Sequence, residues 1–410
     1  MKEKEFITEK VLQIREILGR GEIQDDQGAK ELIIKTVFSD QRSETFTMGQ
    51  LNSMIENLFY MTRRKLGILQ PLMDDGEVSE IMVNGPDRVF MEKNGEIVPY
   101  PASFQSVEEL EEIMRNIAAQ VHREINEMHP IVDARLPDGS RVNGVYKNVA
   151  VNGPILTIRK FSERYMTLTD LVGNETVSKE GAFLLATVVA CGYNLFISGG
   201  TSSGKTTFLN ALTEHIPPKE RIIVIEDSSE LKLHNRENIV HLECKNKNMQ
   251  GKGQVTMTQL IKSSLRMRPD RIIVGEVRGV EVLEMLQAMN TGHSGSLSTG
   301  HGNSVEGMLQ RLETMYLMGM PLGIDAVRAQ IAEAIDIMVH IERMSDGKRR
   351  VVDITEIAGY HEGDYRKNQL MKLDANNRLQ KTSSYLSNVR KIYLKGEGYA
   401  DQLRRMGFIR

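Results

Sequence analysis

The sequence predicts an α/β protein whose larger part is a mainly parallel sheet flanked by helices. Three observations carry that expectation. From residue 181 to about 360, short apolar runs alternate with stretches of helical periodicity, the pattern of strand–helix–strand crossovers. One of those runs, Leu195-Phe196-Ile197, leads into a glycine-rich turn and then a helix start at Thr207-Phe208-Leu209-Asn210-Ala211-Leu212. A chain of 410 residues also has room for two or three domains at roughly 150 residues each, and its first 160 residues read differently from the parallel region.

Residues 1–66 read as a helical region. Phe6, Leu12, Ile14, Ile17 and Leu18 share one helix face, Leu32, Ile33, Ile34 and Val37 a second, and Leu51, Met54, Ile55, Leu58 and Phe59 a third. Arg63-Arg64-Lys65 closes the third helix, where cations favour the C-terminus. Residues 67–162 read as a smaller α/β domain. It has strands at Ile81–Gly85 and Arg88–Glu92, a hairpin at Asn94-Gly95, a helix from Val107 to Val121, two strands within Pro130–Asn143 and a last strand at Ile155–Arg159. A polar linker, 163–180, follows. The parallel region, 181–360, has candidate core strands at Leu195–Ile197, Ile222–Ile225, Val240–Leu242, Ile272–Val274, Ser296–Ser298 and Ile337–Ile341. Residues 361–410 read as a polar C-terminal appendage, with 11 Lys and Arg against 5 Asp and Glu.

Composition excludes several classes. A net charge of -3 and 5% aromatics give neither a basic field nor stacking platforms for nucleic acid. Cys191 and Cys244 alone give no disulfide framework and fit a reducing cytoplasm. The charged start Met1-Lys2-Glu3-Lys4-Glu5 lacks the apolar core of an export signal. The most apolar stretch, Gly181–Ser198, is interrupted by Gly192 and Asn194 and reads as a helix followed by a strand, so any membrane association comes through partners.

The chemistry concentrates in Gly199-Gly200-Thr201-Ser202-Ser203-Gly204-Lys205-Thr206, with Thr207 next. This spacing between a strand and a helix is that of a phosphate-binding loop. Backbone N–H groups and the helix N-terminus face the phosphates, Lys205 reaches the outer ones, and the Thr206 hydroxyl suits Mg²⁺. Hydrolysis further needs a carboxylate beside the phosphates. The apolar strand Arg271-Ile272-Ile273-Val274-Gly275 ends in Glu276, and Arg221–Ile225 ends in Glu226-Asp227, with Glu230 three residues on. Ligands of open parallel sheets bind beyond the strand C-terminal ends. Gly275 stands where a Mg²⁺-binding Asp is usual, so Glu226, Asp227 or Glu276 is expected to supply the metal contact through water. His293 and His301 flank a short strand amid glycines and small polar residues, a makeup suited to sensing phosphate; no third ligand nearby supports zinc. A guanine-reading switch would need N-K-x-D, and Asn246-Lys247-Asn248-Met249 lacks the Asp.

Pro130–Asn143, Gly199–Thr207, Ile225–Leu231, Arg268–Gly279, Thr291–Ser304 and Gln330–Ile341, in this order and spacing, resemble the type II/type IV secretion ATPase superfamily. More narrowly, the chain with its N-terminal helices is similar to the CpaF group of Flp (tight-adherence) pilus assembly motors. The resemblance implies a RecA-like P-loop motor domain in a homo-hexamer, hydrolysing ATP with Mg²⁺ and working on an inner-membrane platform protein from the cytoplasmic face. It assigns Glu226, Asp227 and Glu230 to an Asp box, Glu276 to an atypical Walker B carboxylate, and His293 and His301 to a His box. Ser294 and Gly300 depart from the family pattern. A ring also gives work to arginines of the smaller domain: Arg135, Arg141 and Arg159 are candidates to stabilise the transferring phosphate, Arg278 a weaker one, and Phe161–Val177 is the expected hinge. The competing expectation is a nucleic-acid translocase of RecA-like fold.

Overall fold

The computed structural model describes residues 2–20, 23, 25–121, 123–161, 165–234, 236–245, 247 and 252–410. The chain divides into two compact units, Met1–Glu163 and Arg164–Arg410.

The first unit begins with α1 (Lys2–Gly19), α2 (Asp26–Phe38) and α3 (Met48–Arg63), followed by the short α4 (Gln70–Asp74). Asp25 caps α2 by accepting from the Gly28 amide at 2.6 Å, and Thr47 and Gln50 form a capping box that starts α3. The basic run after α3 is bound within the unit: Arg63 and Arg64 lie 3.3 and 2.7 Å from the Asp26 carboxylate. Then come β1 (Val78–Asn84), β2 (Val89–Lys93), β3 (Glu96–Pro99), α5 (Val107–Gln120), β4 (Ile131–Arg135), β5 (Arg141–Val145) and β6 (Ile155–Arg159). The strands form an antiparallel sheet in the order β3-β2-β1-β6-β5-β4. Phe6, Ile14, Ile33, Met54 and Leu58 from the helices join Ile81, Val83, Leu110, Leu156 and Ile158 in one apolar core. The helical region and the small α/β domain, expected as separate regions, thus share one interior.

The second unit opens with α6 (Leu168–Gly173) and α7 (Lys179–Ala190). Residues 163–180, expected as a polar linker, are folded onto this unit from α6 onward, because Leu168, Leu171 and Val177 are buried in its core. The expected hinge Phe161–Val177 includes residues 162–164, which lie outside the described ones. Next come β7 (Leu195–Gly199), α8 (Lys205–Thr213), β8 (Ile222–Glu226), β9 (Ile239–Glu243), α9 (Met257–Ser264), β10 (Arg271–Val277), α10 (Val282–Asn290), β11 (Leu297–His301), α11 (Val305–Gly319), α12 (Ile324–Ala334) and β12 (Ile337–Arg343). They are followed by β13 (Arg349–His361), β14 (Asp364–Leu373), β15 (Leu379–Lys381), α13 (Arg390–Lys395) and α14 (Glu397–Arg405). The nine-stranded sheet runs β15-β14-β13-β12-β7-β11-β10-β8-β9. From β12 to β9 every pairing is parallel; β13, β14 and β15 are antiparallel. Leu195 and Ile197 face one apolar cluster and Phe196 the other, so the central strands are buried on both faces.

Residues 361–410 are not an appendage. Leu370, Met371, Leu379, Leu386, Ile392, Leu403, Phe408 and Ile409 sit in the same core as α7 and β7. The polar residues that disguise this segment are tied down: the buried Glu356 carboxylate accepts from the Ser387 and Asn388 amides at 2.9 and 2.8 Å, and Lys391 pairs with Asp336. No helix among the described residues is long and apolar enough to cross a membrane.

Candidate functional site

β7 ends at Gly199, which is flanked in register by His301 of β11 and Ile341 of β12. Only glycine fits there: a Cβ would stand 2.3 Å from the Ile341 carbonyl oxygen and 2.5 Å from Ser203 Oγ. The chain then turns through Gly200, Thr201, Ser202 and Ser203, with Ser202 at φ +57°, and enters α8 through Gly204 at φ +93°. Lys205 is buried and curls back over the loop, its Nζ donating to the carbonyls of Gly199 (3.1 Å) and Gly200 (2.8 Å). Thr206 and Thr207 occupy the first turn of α8, whose leading N–H groups face the loop. Ser203 Oγ is buried without a hydrogen-bond partner.

Two strand ends bring the other groups to this loop. His301 Nδ1 lies 3.4 Å from Lys205 Nζ, and His301 Nε2 lies 2.7 Å from Glu276 Oε1. That oxygen is buried and receives no aligned hydrogen bond, while Arg278 Nη2 donates to Glu276 Oε2 at 2.8 Å. Burial first, then the charges of Lys205, Arg278 and Arg311, push the His301 imidazole below its ordinary value, against the pull of Glu276. The hydrogen bond that Arg278 donates to Glu276 raises the guanidinium above its ordinary value, with help from the charges of Glu276, Asp227 and Glu230. Arg278 thus sits among three carboxylates, with Asp227 Oδ2 4.0 Å from its Nη1.

Glu226 has a different setting from the one expected. It is buried at the end of β8, and its Oε1 accepts from the amides of Glu230 (2.9 Å) and Leu231 (3.1 Å). It therefore shapes the turn that carries Asp227 and Glu230. Gly275 explains the missing Asp on β10: a Cβ there would come within 2.9 Å of Glu226 Cγ. The Glu226 side chain occupies the space that an Asp at 275 would need. Among the described residues no three His, Cys, Asp or Glu side chains gather to hold a metal.

His293 requires a correction. It precedes β11, while His301 ends it, and the strand is parallel to β7. Four residue steps at about 3.3 Å place the strand ends some ~13 Å apart. His293 lies before the end of β11 remote from Gly199, its Nδ1 3.2 Å from the Ala288 carbonyl. Arg135, Arg141 and Arg159 belong to the first unit. They stand directly opposite one another on β4, β5 and β6, a row of three cations on one sheet face. Asn246-Lys247-Asn248-Met249 falls largely outside the described residues.

The site has the makeup to hold the phosphates of a nucleotide. The loop amides and Lys205 supply positive potential, and the buried Ser203 Oγ beside them has no hydrogen-bond partner. Thr206 offers a hydroxyl in the first turn of α8, the residue here that could hold a metal beside the phosphates. Arg278, only a weak candidate from the sequence, proves to be Glu276's direct partner; its position two residues further along an extended chain, on the same side, is the signal that could have shown this.

The family described as Type II/IV secretion system protein matches residues 62–396. The conjugal transfer protein TrbB of Rhizobium radiobacter is 35% identical over 297 residues, covering 72% of this chain and 88% of that protein. The type IV secretion system protein PtlH of Bordetella pertussis is 34% identical over 317 residues, covering 70% and 93%. The solved structure of the pilus retraction motor PilT with bound ADP shares the fold, with a TM-score of 0.52 at 18% identity, covering 83% of this chain and 89% of that one.

Proposed function

The chain belongs to the type II/IV secretion system protein family, and on that premise we propose that it is an ATP-hydrolysing motor of a secretion or pilus assembly machine. One observation carries the reading: Lys205, His301 and Glu276 converge from three elements on the loop Gly199–Thr206, with His301 Nε2 2.7 Å from the buried Oε1 of Glu276. The loop amides and Lys205 hold the phosphate tail. Thr206 would hold Mg²⁺, which when bound would supply charge neutralisation at the phosphates. Glu276 orients the attacking water and takes up its proton, while Arg278, donating to its other oxygen, holds the carboxylate in place. His301, neutral near pH 7, reports the outer phosphate by hydrogen bonding.

The finer reading is a Flp-type pilus assembly motor, acting as a homo-hexamer against a platform protein at the cytoplasmic face of the inner membrane. In such a ring the row Arg135, Arg141, Arg159 has a use. Three like charges directly opposite one another repel, and a transferring phosphoryl group relieves that repulsion while an arginine stabilises its developing charge. A second reading, coupling to nucleic acid, draws on the conjugal transfer relative; the net charge of -3 opposes it. Two measurements test the proposal. Lys205→Ala loses nucleotide binding by titration, and Glu276→Gln binds ATP but turns over roughly 10²–10⁴-fold more slowly; normal turnover in the latter would assign the water to another carboxylate. Stimulation of the ATPase by detergent-solubilised platform protein, and not by DNA or RNA, separates the two readings.

A further inference from the structure

We propose that Arg349 is a nucleotide-contacting residue whose guanidinium, laid against the outside of the phosphate loop, binds the phosphate tail held there. The inference rests on the reading of Gly199–Thr206 as a nucleotide site and adds to it a cation from β13. Because Ile341 lies opposite Gly199, the hairpin joining β12 to β13 emerges beside the loop, with Arg343 and Arg349 facing each other across it. The Arg349 stem packs on the loop itself: the point a Cβ would take at Gly204 is 3.7 Å from Arg349 Cγ and 3.9 Å from its Cβ and Cδ. Its Nε donates to the Ser202 carbonyl at 3.4 Å, a long bond that fixes direction more than it stabilises.

Charge balance points the same way. Its chain neighbours, Lys348 just before β13 and Arg350 within it, have carboxylate partners. Lys348 Nζ is 2.6 Å from Glu175, and Arg350 Nη1 is 2.7 Å from Asp346. Arg349 alone of the three has no carboxylate within ion-pair distance among the described residues, and its two terminal nitrogens have no protein acceptor there. An exposed guanidinium presents parallel N–H donors that match two phosphate oxygens at once. With its stem already seated on Gly204, less side-chain freedom is lost when it engages a ligand. Lys205, by contrast, directs its ammonium to two loop carbonyls. Two cations, one inside the loop and one outside, thus flank the tail.

The test is equilibrium titration of Mg-ADP and Mg-ATP into the full chain, comparing the parent with Arg349→Ala, Arg349→Gln, Arg349→Lys and Lys205→Ala. Arg349→Ala and Arg349→Gln are expected to bind both nucleotides roughly 10- to 100-fold more weakly, with Arg349→Lys between them and the parent. The parent's affinity is expected to fall more steeply with salt than that of Arg349→Gln. An unchanged unfolding midpoint for Arg349→Gln excludes a folding defect. If Arg349→Ala and Arg349→Gln bind within twofold of the parent while Lys205→Ala has lost binding, the Arg349 contact is wrong and the nucleotide site stands. If Arg349→Gln binds like the parent and only Arg349→Ala is weak, the side chain merely props Ser202 and the proposal falls. If Lys205→Ala also binds normally, the underlying site reading fails and takes this one with it.

Discussion

Replacing Glu226 by Ala should cost stability before it costs chemistry. The carboxylate is 4% exposed and accepts two backbone hydrogen bonds, from Glu230 at 2.9 Å and Leu231 at 3.1 Å. Hydrogen bonds to a charged group contribute about 1.5–3 kcal/mol each, so losing both removes about 3–6 kcal/mol. At this depth little solvent screening reduces the figure, and water entering the cavity offsets part of it. For a domain of 150–250 residues, 1 kcal/mol shifts the midpoint by about 2–4 °C. The unit from Arg164 to Arg410 should therefore unfold roughly 6–20 °C earlier in nucleotide-free calorimetry. The Mg²⁺ concentration giving half-maximal ATPase at a permissive temperature should stay the same. The reverse pattern, an unchanged midpoint with a large shift in Mg²⁺ requirement, would refute the turn-shaping role and restore Glu226 as a metal contact.

The pH response of His301 follows from burial and neighbouring cations holding its imidazole below the ordinary value of about 6.5. The unfolded chain then binds the extra proton first, so stability rises with pH through that region and the penalty appears as pH falls below the unfolded value. Denaturant titrations from pH 7.5 to 5.5 should show this slope reduced in His301→Asn; an identical slope in both proteins would remove His301 as its source. Alanine at Arg135, Arg141 or Arg159 should lower kcat by up to about 10³–10⁵ at the one position that meets phosphate, with KM little changed. Normal kcat in all three variants would retire the arginine row.

The parallel strands were legible because burial on both faces favours unbroken apolar runs, and Ile222–Ile225 and Ile272–Val274 show it. The turn from β7 into α8 was legible because its backbone dictates glycine at Gly199 and Gly204. The antiparallel extension was not. β13 buries Arg350, Thr355 and Glu356 alongside its apolar residues, and Glu356 is satisfied by Asn368, Ser387 and Asn388. Partners of that kind are set by tertiary packing, so a polar, basic run read as surface. His293 and His301 looked equivalent for a related reason. Eight positions apart in a small-residue segment, they seem one motif until a strand is laid between them, and a strand has two ends. At the carboxylates, the sequence shows Gly275 as a missing ligand, whereas its role is steric: it admits the Glu226 side chain.

Gly199 is held on both flanks at once, by β11 through His301 and by β12 through Ile341. A strand clamped this way cannot creep along its axis, since a slip of one position would turn every residue of Leu195–Gly199 to the wrong face. Loss of a phosphate therefore cannot be passed on by sliding of the central strands. The imidazole of His301 and the carboxylate of Glu276, perched on neighbouring strand tips, are the side chains placed to register a change at the loop while the sheet stays fixed like an anvil.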